Sequence, residues 1–276
     1  VAGGVHRQRR HPVPAVAADG ARPDERPGQG VLGDEHIAVG EAGDVNGDGY
    51  DDILAGAYGA EDGGDCTSLC GLTYLFFGPF TGTSSVDAQN ADVIFNGEAN
   101  SDYFGYSVAI HGDRAIVGAY QDDDSGADSG SLYVYERPAT GWVTGTETAK
   151  LTASDGTRYD DFGISVATGG DTVVVGNPAS KSAYVFRQDP DTGEWLQEEL
   201  SIPPAIGFGW SVAISGNTLV VGAPGKGSAH VFNRDGSTWI EAELPLTTEN
   251  ATSGSFFGTA VATDGDTVLV GAPSLS

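Results

Sequence analysis

Residues 104–120 read FGYSVAIHGDRAIVGAY, and the run returns as FGISVATGGDTVVVGNP at 162–178, FGWSVAISGNTLVVGAP at 208–224 and FGTAVATDGDTVLVGAP at 257–273. Each copy holds two apolar runs joined by a Gly-Asp or Gly-Asn pair (Gly-Asp-Arg in the first), the chemistry of a tight hairpin turn. The leading Phe residues, 104, 162, 208 and 257, lie 58, 46 and 49 residues apart. That period suits propeller blades and exceeds short solenoid repeats. A fifth copy, IAVGEAGDVNGDGYDDILAGAY at 37–58, fits once an insertion in its hairpin is allowed.

Two further apolar runs follow each hairpin. LTYLFF (72–77), SLYVYE (131–136), SAYVFR (182–187) and SAHVFN (228–233) supply a third strand. ADVIFNG (91–97), WVTGTETAKL (142–151), EWLQEEL (194–200) and STWIEAELPL (237–246) supply a fourth. Gly, Asp, Ser and Pro cluster between them, and no helical period is sustained. Four antiparallel strands repeated radially predict an all-β chain, a β-propeller. The blades fall at about 31–97, 104–151, 162–200 and 208–246, with a partial one at 257–276, so about four and a half blades are present.

Composition supports this. Of 276 residues, 39 are Asp or Glu and 13 Lys or Arg, a formal charge of -26, and there are 42 Gly. Asp outnumbers Glu 26 to 13 and only three residues are Lys, which favours turns and oxygen ligands over helix. So negative a field repels phosphate backbones and anionic lipid, so neither nucleic acid nor membrane insertion is expected. No apolar run approaches the length of a membrane-spanning helix. Residues 1–30 carry five Arg and four Pro without apolar periodicity; they read as a leader, disordered or foreign to the fold, with a basic docking arm as the alternative.

Phe-Gly opening one strand and Gly-Ala-Pro closing the next resembles the FG-GAP repeat family, which includes the propeller of integrin α subunits and many bacterial and archaeal surface proteins. The resemblance covers about residues 37–273. The first unit departs from it with Asp34-Glu35 in place of Phe-Gly; Tyr58 and Tyr120 replace the Pro, and the third unit reads Gly176-Asn177-Pro178. The resemblance implies a seven-bladed propeller, of which this arc is a fragment. Two apolar blade faces should therefore be open, to be completed by missing blades or a partner chain.

The insertion in the first unit, Asp44-Val45-Asn46-Gly47-Asp48-Gly49-Tyr50-Asp51-Asp52, places side-chain oxygens at relative positions 1, 3, 5 and 9. With a backbone carbonyl at position 7, this suits calcium, which takes six to eight oxygens. An EF-hand would need Glu at position 12, where Ala55 stands. The run is similar to the nine-residue calcium loop of integrin-type blades. That resemblance implies ligation of Ca2+ by Asp44, Asn46, Asp48 and Asp52 and by the Tyr50 carbonyl, with Asp51 pointing away. The alternative is an Asx-rich hairpin without metal. The matching turns of the other units are too short to wrap an ion.

The resemblance also puts the long loops on the face opposite the calcium hairpin, at 59–70, 121–129 and 152–161. Asp62, Asp65, Asp122, Asp123, Asp124, Asp128, Arg158 and Tyr159 are the candidate ligand-face residues there. The Asp122–Asp124 run on its own reads as a solvated acidic loop. Cys66 and Cys70, the two cysteines, could close a small disulfide in an oxidising compartment; without a second pair or a nearby His they make a poor zinc site.

No Gly-x-Ser-x-Gly elbow, His-Glu-x-x-His or complete phosphate loop occurs, and His230 takes the place held by Tyr133 and Tyr184, a packing position. No enzyme activity is expected. The functional expectation is a non-catalytic, calcium-binding extracellular or cell-surface module that binds protein or glycan in an adhesion-like role. The alternatives are a propeller flanking a secreted hydrolase domain and a structural envelope repeat protein.

Overall fold

A computed structural model describes residues 37–39, 43–61, 68–80, 88–202, 205–247 and 256–273. The expectations for residues 1–30 and for Asp62, Asp65 and Cys66 lie outside them.

The described strands form four four-stranded antiparallel sheets and one two-stranded sheet, each in simple sequential order. The first sheet holds β1 (Ile37–Val39), β2 (Ile53–Ala57), β3 (Leu72–Phe76) and β4 (Val93–Asn96). The second holds β5 (Ser107–His111), β6 (Arg114–Ala119), β7 (Ser131–Glu136) and β8 (Ala149–Leu151). β9 (Val166–Gly169), β10 (Thr172–Asn177), β11 (Ser182–Gln188) and β12 (Trp195–Ser201) make the third. The fourth comprises β13 (Ser211–Ser215), β14 (Thr218–Ala223), β15 (Ser228–Asp235) and β16 (Thr238–Glu241), and the hairpin β17 (Ala260–Thr263) and β18 (Val268–Gly271) closes the series. These mostly four-stranded sheets are propeller-like blades, as the repeat predicts for the fold class. β5 packs on β9, β9 on β13 and β13 on β17, so first strands line the inside of the arc.

Strand alternation stacks the blades. The second strands are apolar on both faces because each is sandwiched between sheets. Leu54, Ile116, Val174 and Val220 face the following blade, where they meet Ala115 and Val117, Val173 and Val175, Leu219 and Val221, and Phe257 respectively. The repeated Phe fills each junction: Phe104, Phe162 and Phe208 are fully buried and meet the rings of Tyr133, Tyr184 and His230 at 5.0, 5.5 and 5.4 Å. His230 is thus a junction residue.

The two ends differ, which corrects the expectation of two open faces. The rear of the first sheet is covered: Ile53, Ala55, Tyr74 and Phe76 are buried with Ala88, and Phe80 and Ala91 pack on them. The last hairpin is open. Leu269, the counterpart of Val220, is 66% exposed where Val220 is at 0%.

Candidate functional site

The Asp-rich loop joins β1 to β2. A bridge between Gly43 and Asp52 closes its base, and Gly47 and Gly49 turn it with φ of +80° and +90°, a region that favours glycine. Buried Asp52 holds the loop: Oδ2 accepts from the amides of Val45 and Asn46 at 2.8 and 3.3 Å, and Oδ1 from that of Gly78 at 2.9 Å. Burial pushes its carboxyl up, against the downward pull of those amides. The Asp44 carboxylate accepts from the amides of Gly47, Asp48 and Gly49, and Asn46 Nδ2 donates to Asp48 at 2.9 Å. The second blade grips the loop from outside. Trp142 Nε1 donates to the Val45 carbonyl and Arg137 to that of Asn46, both at 2.8 Å, while Val45 itself is buried in the junction.

An all-oxygen donor set on a glycine-turned loop fits calcium. Among the described residues, however, the group of three carboxylates that converge within 4.8 Å is elsewhere, at Glu98, Asp122 and Asp124. In the loop, backbone N–H groups supply the positive partners that an ion would otherwise supply.

That second cluster could hold a cation, and Lys150 supplies one: its Nζ lies 2.7 Å from Glu98, 2.9 Å from Asp122 and 2.6 Å from Asp124. Asp122 is buried rather than solvated. It also accepts from Ser131 and Tyr133, both at 2.8 Å. Burial would raise its carboxyl, but Lys150 and these donors hold it below the usual range. Asp102, buried beside this network, is pushed up to about 7 by burial and by Asp122, with Lys150 opposing.

Tyr58 follows β2 directly, so it lies at the opposite end of that strand from the Asp-rich loop. The loops at that end converge: Tyr159 N donates to Ala127 O at 3.0 Å and Phe162 N to Ser129 O at 3.3 Å. Hence Asp123, Asp124 and Asp128 share a surface with Arg158 and Tyr159, while Asp122 is buried beneath them. Beside them Tyr58, Tyr103, Tyr106 and Tyr120 close a ring of contacts, with centroids 4.9 Å apart for 58 and 106, 4.5 Å for 106 and 120, 5.4 Å for 120 and 103, and 5.9 Å for 103 and 58. All four are half-buried. Among the described residues none hydrogen-bonds the phenol oxygens of Tyr103, Tyr106 or Tyr120. Burial and the neighbouring phenols, with Asp161, push Tyr120 up to about 12.

Sequence reasoning missed this tetrad and Lys150. The signal for the tetrad was Tyr58 and Tyr120 standing where sister units have Pro178, Pro224 and Pro273. Buried Cys70 is disulfide-bonded; Cys66, the other cysteine of the sequence, lies outside the described residues. One further constellation has the distances of a hydrolytic triad: Ser228 Oγ lies 3.2 Å from His230 Nε2, and His230 Nδ1 2.6 Å from Glu241. Its repeat counterparts, Tyr184 bonded to Asp155 and Ser182 to Glu199, mark it as scaffold pairing.

A family model described as FG-GAP repeat matches residues 89–135, 146–186, 207–238 and 242–275. No curated protein sequence matches. Similar solved structures include a periplasmic gluconolactonase of Pseudomonas aeruginosa (TM-score 0.53, 14% identity, 80% of this chain and 62% of that one). Another, of unknown function, comes from Desulfotomaculum acetoxidans (0.52, 13%, 81% and 63%). A third is a proposed 6-phosphogluconolactonase of Bacteroides uniformis (0.50, 12%, 73% and 55%). The chain thus spans 55 to 63% of the length of these structures. At such identity the likeness concerns the fold. It nonetheless corrects the expectation that no enzyme is present: two of the three structures are named as lactonases, so catalysis is compatible with this scaffold. Among the described residues no helix is long and apolar enough to cross a membrane.

Proposed function

The chain belongs to the FG-GAP repeat family, and on that premise we propose that it is a calcium-binding extracellular propeller module that presents the loop end of its blades to a protein or glycan ligand. One observation carries this reading: two long loops and four tyrosines meet at the end of the blades away from the Asp-rich hairpin. Sites on propellers sit on loops positioned by the rigid blades. Asp44, Asn46, Asp48 and Asp52 with the Tyr50 carbonyl are the residues that would hold calcium, whose charge would replace amide dipoles as the partner of the carboxylates. The excess of acid suits a saline, extracellular setting.

The test has two arms. Calorimetry with calcium should give heat for the wild type and none for Asp48→Ala. Protein and glycan arrays probed with the labelled chain should show a ligand that Tyr106→Ala abolishes. Equal calcium heats, or array binding indifferent to Tyr106, would sink the respective arm.

A second reading, hydrolytic chemistry at the same end, is favoured by Asp102. A carboxyl poised at about 7 has the acidity of a general acid or base at neutral pH, and the fold is shared with proteins named as lactonases. Hydrolysis of gluconolactone by the wild type but not by Asp102→Asn would support it; equal rates would end it.

A further inference from the structure

We propose that Tyr58, Tyr103, Tyr106 and Tyr120 form a platform for a neutral saccharide; this rests on the reading that the loop end binds a ligand, and names its chemistry.

Packing alone does not account for the tetrad. At the closing position of the repeat, Pro178, Pro224 and Pro273 do the structural work that Tyr58 and Tyr120 replace. Tyr103 sits at φ +55°, as its counterparts Asp161, Gly207 and Phe256 do at +59°, +76° and +52°, so the backbone conformation belongs to the repeat while the tyrosine ring there belongs to this unit alone. The rings are half-buried, so their edges and faces are fixed by neighbours yet reach solvent. The phenol oxygens of Tyr103, Tyr106 and Tyr120 have no partner among the described residues, which leaves donors and acceptors for a ligand.

The surroundings select the ligand. Loops 121–129 and 152–161 hold seven Asp and one basic residue, Arg158, and Arg158 is engaged with Tyr159. Lys150 is spent on three carboxylates. An anionic ligand would meet uncompensated negative charge. A purely apolar one would strand the phenol oxygens. A neutral sugar offers both an apolar C–H face for the rings and hydroxyls for the phenols and for Asp161. In the later units Tyr159, Ile206, Trp210 and Phe256 flank the Phe-Gly pairs as Tyr103 and Tyr106 flank theirs, and they are 58%, 55%, 46% and 48% exposed; apolar side chains repeated at this end of successive blades suit an extended chain better than a monosaccharide.

The experiment is native affinity electrophoresis of the full chain in gels containing hydroxyethylcellulose, xylan, galactomannan or laminarin, with dextran sulfate as the anionic counterpart. At least one neutral polysaccharide should retard the wild type, and the Tyr106→Ala, Tyr120→Ala double variant should bind at least about tenfold more weakly. The Tyr106→Phe, Tyr120→Phe variant keeps the rings, guards against misfolding, and should retain part of the affinity. Absence of retardation by all four polymers, retardation unchanged in both double variants, or preference for dextran sulfate would overturn the proposal. A protein ligand whose array binding is lost in Tyr106→Ala, with no neutral polysaccharide bound, would end the saccharide assignment and leave the binding face standing.

Discussion

Gly118 of the second blade and Gly163 of the third touch backbone to backbone: a Cβ placed on Gly118 would lie 2.2 Å from the Gly163 carbonyl oxygen. The same approach joins Gly56 to Gly105, Gly176 to Gly209 and Gly222 to Gly258, at 2.0 Å in each case. Within a blade, the Phe-Gly glycine donates to the carbonyl of the Gly-Ala-Pro glycine, as Gly163 does to Gly176 at 3.1 Å. Ser107 and Ser211 add hydroxyl bonds to the Gly163 and Gly258 carbonyls at 2.6 and 2.9 Å. The motif is therefore the contact between blades. Gly118→Ala should destabilise the chain by roughly 2–4 kcal/mol, because the obstacle is backbone that cannot rotate away. Gly145→Ala, with nothing within 4 Å, should change little; urea unfolding of both variants checks this.

Asp102 predicts an unusual pH dependence. Its folded value of about 7 stands above the ordinary 3.8 of an aspartate carboxyl, so the folded state binds the proton more tightly. Stability should fall as pH rises from about 4 to about 7 and then level off, by an amount on the order of 2–4 kcal/mol. Asp102→Asn removes the titration. The variant should match the wild type near pH 4 and melt higher at pH 8, by roughly 2–4 °C for each kcal/mol. A difference between the two that is constant across this range would refute the assignment.

What could be read from the chain divides by range. Hairpins such as β5 and β6 were legible because His111-Gly112-Asp113 and its flanking apolar runs are local, and the blade repeat is those hairpins recurring. The Asp44–Asp52 loop was legible for the same reason. The tyrosine tetrad was not: Tyr58 must cross from the first blade to meet Tyr106, a contact set by how blades stack. Lys150 was hidden likewise, since Glu98 lies 52 residues away in sequence. Asp122 read as solvated because it stands in an acidic run; Asp123 and Asp124 beside it are indeed exposed, and nothing local distinguishes the one that turns inward.

The grip of the second blade on the Asp-rich loop predicts a remote effect on metal binding. Trp142 and Arg137 hold the carbonyls of Val45 and Asn46, between the first two proposed ligands and at the second. Residues that position ligands from behind typically matter tenfold or more to affinity. Trp142→Phe should weaken calcium binding roughly tenfold while leaving the melting temperature of the calcium-free chain within a few degrees. Isothermal titration measures the first and calorimetric melting the second; unchanged affinity would show that the loop holds its shape unaided.

Leu269 and Val220 occupy the same position in successive units, yet one is 66% exposed and the other fully buried. Val220 is covered by Phe257 of the following hairpin, whereas among the described residues no strand follows β18. Val220→Ala should cost roughly 2 kcal/mol through the cavity it leaves. Leu269→Ala removes more side chain but little burial, so it should cost under about 0.5 kcal/mol. Urea unfolding of the two variants at several protein concentrations decides the matter. If Leu269→Ala costs as much as Val220→Ala, the face is covered in solution. A midpoint that rises with protein concentration would then identify a second copy of the chain as the cover.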